Sequence, residues 1–142
     1  MKILLAVDGS KNSTSAVRYL VEHANLLAEK PQIELLTVHL PVPKLPRMGA
    51  AISKAQLAKY YQDEGEACLA GAKRRLDEAH LDYRAAVRIG PIAETIVKYA
   101  NETKSNLIVI GTRGMGELGK MLLGSTASKV AHLSDIPVLL VK

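Results

Sequence analysis

The sequence predicts an open α/β fold in which a parallel sheet carries helices on both faces. Short apolar runs of strand length alternate with longer segments in which apolar residues recur every three or four positions. Glycine, proline and small polar residues separate the two kinds of segment. The apolar runs lack the polar alternation of half-exposed strands, which indicates parallel strands covered on both faces. Strands that alternate with helices in this way are joined by right-handed crossovers within one sheet.

The first half of the chain predicts two strands and two helices. Residues 2–7 form an apolar run that stops at the turn residues Asp8-Gly-Ser, as a buried strand does. Residues 13–29 place their apolar side chains on one helical face, and Pro31 ends this segment. Residues 33–40 read as the second strand. The proline-rich residues 41–46 exclude helix and central strand, and a long helix is predicted for residues 53–80.

The second half continues the same alternation and ends on a strand. Gly90-Pro91 opens a predicted helix that reaches about Asn101, with proline in the first-turn position that it favours. The final helix is predicted from Ser125 to Leu133. The three predicted strands of this half are residues 83–89, 106–110 and 136–141.

Composition places the 142-residue chain among globular proteins, with one domain expected over residues 1–142. No apolar run reaches the length of about 20 residues that spans a bilayer, and the N-terminus enters a strand pattern without a signal-peptide core. With Cys68 as the single cysteine, these features predict a cytoplasmic protein without membrane insertion. The net charge of +5 raises nucleic-acid binding as an alternative, but the basic residues are dispersed and Phe and Trp are absent.

A glycine-rich stretch from Gly111 to Thr126 carries the clearest functional information. It begins where the apolar run 107–110 stops, and it ends where a helical pattern starts at Ser125. Glycines allow the backbone to approach an anion closely, and the unpaired N–H groups of a helix start point towards it. A strand, a glycine loop and a helix start in this order predict a phosphate-binding site, with a ligand-free surface loop as the alternative.

Two other phosphate-binding motifs do not fit these residues. No glycine pair is followed by Lys-Ser or Lys-Thr, which excludes a Walker A loop. Residues 114–119 match Gly-x-Gly-x-x-Gly, but that motif belongs to a first βα turn with an acidic residue roughly 20 positions later. The residue at that distance is Leu139, within an apolar run, so a dinucleotide site is excluded.

The spacing Gly-x2-Gly-x9-Gly-Ser resembles the nucleotide loop in the ATP-binding branch of the universal stress protein family. The resemblance extends along the whole chain, and its matching segments are residues 3–10, 38–39, 90–96, 107–114, 123–130 and 137–141. It implies the strand order 3-2-1-4-5, in which Asp8 and Gly111 face one crevice at the carboxyl ends of neighbouring strands. It also implies bound ATP, ADP or AMP, with Mg²⁺ or Mn²⁺ held by the phosphates.

The resemblance further implies which residues contact the nucleotide. Asp8 would accept hydrogen bonds from the ribose, with a turn or helix-cap role as the alternative. Val38 would offer backbone groups to the adenine. Ser125 would lie beside the phosphates or act as a plain N-cap, and both roles are compatible. The full expected cofactor-binding set is Ala6, Val7, Asp8, Val38, Ile110, Gly111, Arg113, Gly114, Gly124, Ser125 and Thr126.

No catalytic residue and no protein metal site are expected, because the chain lacks Gly-x-Ser-x-Gly, His-Glu-x-x-His and paired cysteines. Cys68 is expected to be a buried small hydrophobe, and His39 to lie near the pocket. The predicted function is an ATP-binding regulatory module of the stress response. The alternatives are a slow ATPase or phosphotransfer enzyme and a ligand-free scaffold. In the strand order that the resemblance implies, residues 136–141 form an edge strand, which predicts a homodimer, with a monomer as the alternative. The client protein is not identified.

Overall fold

The computed structural model of the chain describes residues 1–27, 29–43, 53–112 and 123–142, apart from the side chain of Asn12. Strands and helices alternate throughout, with one short 3₁₀ turn at Ala24–Leu26 after the first helix. In chain order the elements are β1 (Lys2–Ala6), α1 (Lys11–His23), β2 (Gln32–His39), α2 (Lys54–Glu78), β3 (Tyr83–Ile89), α3 (Ile92–Glu102), β4 (Leu107–Gly111), α4 (Ser125–Leu133) and β5 (Val138–Val141).

The five strands form one parallel sheet in the order β3-β2-β1-β4-β5, which confirms the predicted fold class and strand order. β1 lies at the centre, where Leu5 pairs with Leu35 of β2 on one side and with Val109 of β4 on the other. The order therefore reverses between β1 and β4. At such a reversal the connections leave the sheet in opposite directions, which opens a crevice at the carboxyl ends of the strands.

Helices cover both faces of the sheet, so each face has its own apolar core. Ile3 and Leu5 of β1 point towards α1 and α2, whereas Leu4 and Ala6 point towards α3 and α4. All four side chains are almost completely buried. This burial on both faces explains why the strand sequences read as continuous apolar runs rather than as alternating ones.

The boundaries of the first helix differ from the prediction at both ends. Its N-cap is Ser10, whose hydroxyl accepts the Ser13 N–H at 3.1 Å, so the helix starts before residue 13. It ends at His23 instead of residue 29, because Leu27 is extended with ψ 139°. Leu27, which belongs to the predicted apolar face, is partly buried against the core although the helix has already ended, so the apolar pattern extends beyond the helix.

Two smaller corrections concern prolines. Pro91 is the N-cap of α3 and not a residue of its first turn, since the helix begins at Ile92. β5 begins at Val138 instead of residue 136, and Pro137 contributes only its carbonyl, which accepts the Ile108 N–H at 2.9 Å. Because proline has no N–H, it cannot extend the ladder with β4.

Candidate functional site

A cavity of about 430 Å³ lies at the carboxyl ends of β1, β2 and β4, in the crevice that the strand order creates. All four helices contribute to the remaining walls, α1 through Ser13. The structure brings together all of the expected site residues that it describes, and those lining the cavity are Ala6, Val7, Asp8, Val38, Ile110, Gly111, Gly124, Ser125 and Thr126. The two other expected residues, Arg113 and Gly114, lie outside the described residues.

Asp8 lies at the end of β1 and also stabilises the turn into α1. Its Oδ1 accepts the Ser10 N–H at 2.9 Å, and Gly9 between them has a φ of +78°. That conformation is strained for any residue with a Cβ, so glycine suits the position. The turn role that the sequence offered as an alternative is therefore present, and the carboxylate still borders the cavity. A carboxylate has lone pairs for more than one donor, so both roles are compatible.

The glycine-rich connection between β4 and α4 is closed at its base by two backbone hydrogen bonds. Thr112 N–H donates to the carbonyl of Val141 at 2.7 Å, and Gly124 N–H donates to the carbonyl of Thr112 at 2.6 Å. The second bond holds Thr112 and Gly124 together beside the cavity. It also engages the N–H of Gly124, so an anion at this end of α4 would meet the N–H groups of the following residues.

The start of α4 differs from the plain N-cap that the sequence offered for Ser125. Ser125 is the first residue of the helix, and the N-cap is Gly124 in an extended conformation, with φ −68° and ψ 153°. No side chain among the described residues caps this helix end. The partial positive charge of the helix start therefore faces the cavity beside the hydroxyls of Ser125 and Thr126.

The end of β2 presents backbone groups to the same cavity. Val7 N–H donates to the carbonyl of Leu36, and Gly90 N–H donates to the carbonyl of His39, each at 2.9 Å. Because backbone groups alternate in direction along a strand, the N–H and C=O of Val38 point to the β1 side. β1 ends at Ala6, short of this position. Backbone donors and acceptors at Val38 are thus directed into the crevice.

The cavity has an apolar half and a polar half. Most of the residues that line these two halves were not predicted from the sequence. Leu36, Ile92 and Ile96 line the half that faces α3 and α4. Ile92 and Ile96 are one helical turn apart in a helix that follows a strand end, and this spacing could have identified them in the sequence as residues of the cavity wall. The polar half, on the α2 side, is lined by Ser13, Thr37, His39 and Cys68.

Cys68 was expected to be a buried small hydrophobe, and this prediction was wrong. Its side chain is only partly buried and lines the cavity. Burial raises the pKa of the Cys68 thiol above its usual 9.0, and the nearby carboxylates of Glu64 and Asp8 act in the same direction, while a hydrogen bond with Thr37 opposes them. The thiol is therefore protonated at neutral pH. Its apolar sequence neighbours gave no sign of a place in the cavity wall.

His39 lies at the pocket, as predicted, and carries an unusual polar atom. Its Nε2 is shielded from solvent and has no hydrogen-bond partner among the described residues. Buried polar atoms in native proteins are nearly always paired with protein or with water. An atom in this state beside a cavity therefore calls for a partner from outside the described chain.

A larger, open depression of about 770 Å³ runs along the β3 edge of the sheet, and it is a poorer candidate. It is lined by Lys2 and Lys104 near the amino ends of strands, whereas open α/β sheets bind ligands at the carboxyl ends. Its buried carboxylate, Glu34, accepts a hydrogen bond from the Tyr99 hydroxyl at 3.3 Å. The Arg88 guanidinium stacks over the Tyr99 ring, 4.9 Å from its centre.

No cluster of three or more His, Cys, Asp or Glu side chains in the described residues could hold a metal ion. No helix in the described part of the chain is long and apolar enough to cross a membrane.

Comparisons with known proteins agree with the fold. The sequence model of the universal stress protein family matches residues 1–142. The chain is 31% identical to universal stress protein YxiE of Bacillus subtilis, over 99% of this chain and 98% of that protein. A solved universal stress protein in complex with cAMP superposes with a TM-score of 0.73 at 25% identity, over 100% of this chain and 97% of the other.

A second solved structure, a universal stress protein family protein from Arabidopsis thaliana with AMP bound, has a TM-score of 0.70. It covers 100% of this chain and 91% of the other, and at 17% identity it supports the fold alone. The match to the family model over the full sequence, the relative of Bacillus subtilis and the shared strand order lead to one conclusion. The chain belongs to the universal stress protein family.

Proposed function

We propose that this protein binds an adenine nucleotide in the cavity at the carboxyl ends of β1, β2 and β4, and that it acts as a nucleotide-dependent regulatory module of the stress response. The observation that carries the proposal is the convergence of three polar elements on one cavity. They are the Asp8 carboxylate, the backbone of Val38 and the start of α4. Support also comes from the family members whose structures hold cAMP or AMP.

The order of these groups assigns each part of the nucleotide to a part of the cavity. The phosphates lie at the start of α4, where the helix dipole and the N–H groups of its first turn favour negative charge. The ribose lies at Asp8, which accepts from its hydroxyls. The adenine lies against the end of β2, where Val38 offers one backbone donor and one acceptor. Arg113 and Gly114 are expected at the phosphates.

ATP is the proposed ligand within this class, with ADP and AMP as close alternatives, and Mg²⁺ or Mn²⁺ bound through the phosphates. Among the described residues that line the cavity, Asp8, His39 and Cys68 are the titratable side chains. The Cys68 thiol is protonated at neutral pH, so it is a weak nucleophile there.

The direct test is nucleotide binding and turnover by the purified protein. We expect isothermal titration to show one binding site per chain for AMP and ATP, and we expect ATP to persist through incubation for hours. Rapid release of phosphate would replace the regulatory function with an enzymatic one. Absence of binding by every adenine nucleotide would instead favour a ligand-free scaffold.

A homodimer through the last strand is proposed as the assembly. β5 lies at the edge of the sheet, and its residues alternate in backbone direction. Thr112 N–H bonds to the carbonyl of Val141, so Val141 faces β4 and Leu140 turns its N–H and C=O outwards. An edge that no other described strand covers pairs readily with a second chain, and a two-fold axis would hide both edges.

A further inference from the structure

The cavity passes over the carboxyl ends of the strands to the face of the sheet that α2 covers, and its wall is polar there. Side chains of β2 alternate between the two faces, so Thr37 and His39 lie on the same side as Leu35, which packs under α1 and α2. Thr37 is only 1% exposed and yet lines the cavity. Cys68 of α2 lines the same space, with its thiol beside the Thr37 hydroxyl.

The position of Cys68 is fixed by a close approach between α2 and the turn after β1. A Cβ placed on Gly9 would lie 3.1 Å from the Cα of Cys68 and 3.4 Å from its Sγ. Because glycine has no side chain, the helix can pack directly on the turn. This contact holds the thiol close to the hydroxyl of Thr37 and to the carboxylate of Asp8, and both groups influence its ionisation.

The chemistry of this polar wall favours a neutral heteroaromatic ligand over an anion. A protonated thiol and a hydroxyl are neutral donors and acceptors, and the Asp8 carboxylate beside them repels phosphate. His39 adds a solvent-shielded Nε2 without a partner among the described residues. The phosphate-binding features lie at the start of α4, which packs on the opposite face of the sheet.

We propose that Thr37, His39 and Cys68 form a polar subsite that contacts the base of the bound nucleotide and contributes to base selection. This inference rests on the proposed function, because it assigns a second set of contacts within the same cavity. The backbone of Val38 contacts one edge of the base, and the three side chains contact the base from the α2 side.

Cys68 makes the test direct, because it is the only cysteine in the chain. The rate at which N-ethylmaleimide alkylates the native protein would be measured with and without ligand. At a concentration ten times Kd, adenosine or AMP should slow the reaction roughly tenfold, since only about a tenth of the sites remain empty. Inorganic triphosphate, which occupies only the phosphate end, should leave the rate unchanged.

The control moves the thiol by two residues on the same helix. The variant with both Cys68→Ala and Ala70→Cys carries its cysteine at an exposed position outside the cavity, and nucleotide should not alter its alkylation. Protection at this position as well would mean that nucleotide slows labelling generally, and it would overturn the inference.

A second measurement separates direct contact from indirect protection. Thr37→Val keeps the shape of the side chain and removes the hydroxyl, so adenosine affinity should fall roughly two- to tenfold while triphosphate affinity stays the same. Normal ATP binding with no protection of Cys68 and no effect of Thr37→Val would overturn the subsite and leave the proposed function intact. Failure of all nucleotides to bind would remove the proposed function and the subsite together.

Discussion

At the scale of single residues, Asp8 has two proposed roles, one in binding the ribose and one in the turn that leads into α1. Its carboxylate lines the cavity and also accepts the Ser10 N–H, so its removal affects ligand and turn together. We expect Asp8→Ala to weaken AMP and ATP by similar factors of roughly tenfold or more, because a hydrogen bond to a charged group is lost and both ligands share the ribose. Isothermal titration with each nucleotide would measure the two factors.

A conservative variant separates the two roles of this residue. Asp8→Asn keeps an oxygen that accepts the Ser10 N–H, so its thermal unfolding should stay close to wild type while its nucleotide affinity falls. A loss confined to ATP, with AMP binding unchanged, would contradict the ribose assignment and place Asp8 near the phosphates or their metal.

Cavity residues that directly follow an apolar run could be predicted from the sequence. Those whose place in the cavity wall depends on tertiary packing could not. Asp8 and Gly111 stand directly after apolar runs, so the strand ends located them. Thr37 lies inside such a run, and only its position in the folded sheet shows that its hydroxyl reaches the cavity. Cys68 depends on the contact between α2 and Gly9, which joins residues distant in sequence and leaves no local pattern.

At the scale of secondary-structure elements, α2 contains two glycines whose substitution should have opposite effects. A Cβ on Gly65 would lie 2.4 Å from a methyl carbon of Val87, so the helix packs on β3 only because this residue has no side chain. We expect Gly65→Ala to destabilise the protein by about 1–3 kcal/mol through overpacking. Chemical denaturation would measure the change in the free energy of unfolding.

Gly71 in the same helix is the matched control. A Cβ there meets no heavy atom within 4 Å, and the residue is exposed. Gly71→Ala should stabilise the protein by about 0.5–1 kcal/mol, since alanine is the better helix former. Equal effects of the two substitutions would contradict the described packing of α2 on β3.

The pairing of α3 with α4 predicts a dependence on pH. The Lys129 ammonium, hydrogen-bonded to Glu94, holds the pKa of that carboxyl below its usual 4.5. A lowered pKa in the folded state stabilises the protein above pH 4.5, and this contribution is lost as the pH falls further. Lys129→Gln should therefore reduce the loss of thermal stability on acidification, measured as Tm against pH.

The exposed pair Lys98–Glu102, at 3.8 Å within α3, supplies the comparison. Exposed pairs one helical turn apart contribute little to stability, so Lys98→Gln should leave the pH profile of Tm unchanged. Identical profiles for Lys129→Gln and wild type would show that the ion pair between Lys129 and Glu94 does not contribute to stability.

The elements themselves show what a sequence pattern can locate. α4 and β3 have the predicted bounds, because a glycine or proline precedes or follows each pattern. α1 is shorter than its apolar periodicity, since Leu27 continues the pattern in an extended conformation after the helix has ended. Periodicity records which residues could face a core, whereas the end of a helix also depends on where the next strand must begin.

At the scale of the whole molecule, the strand order came from the family resemblance and not from the periodicity. Apolar runs predicted parallel strands, but no feature of their sequences places β1 beside β4. The register of β1 with both neighbours then explains how residues far apart in sequence, such as Asp8 and Ser125, border one cavity. Strand neighbours are a property of the assembled sheet, so a single sequence determines them poorly.

The proposed dimer is tested at the outward-facing backbone of β5. Leu140→Pro removes an N–H that points away from β4, and the ladder between these strands is retained. Light scattering at micromolar concentration should show a dimer for wild type and a shift towards monomer for the variant. A Leu140→Glu substitution is less selective, because this side chain packs partly against the core beneath α3 and α4. A wild-type monomer under these conditions would refute the assembly.

The central claim is that the cavity between β1, β2 and β4 binds an adenine nucleotide through its sugar, base and phosphates. Isothermal titration of the wild-type protein and of a Gly114→Val, Gly124→Val double variant with ATP tests it most directly. Two added side chains at the phosphate end should abolish measurable binding while circular dichroism stays unchanged. The account predicts one ATP per wild-type chain and none for the variant. Equal binding by both proteins, or no binding by either, would contradict it.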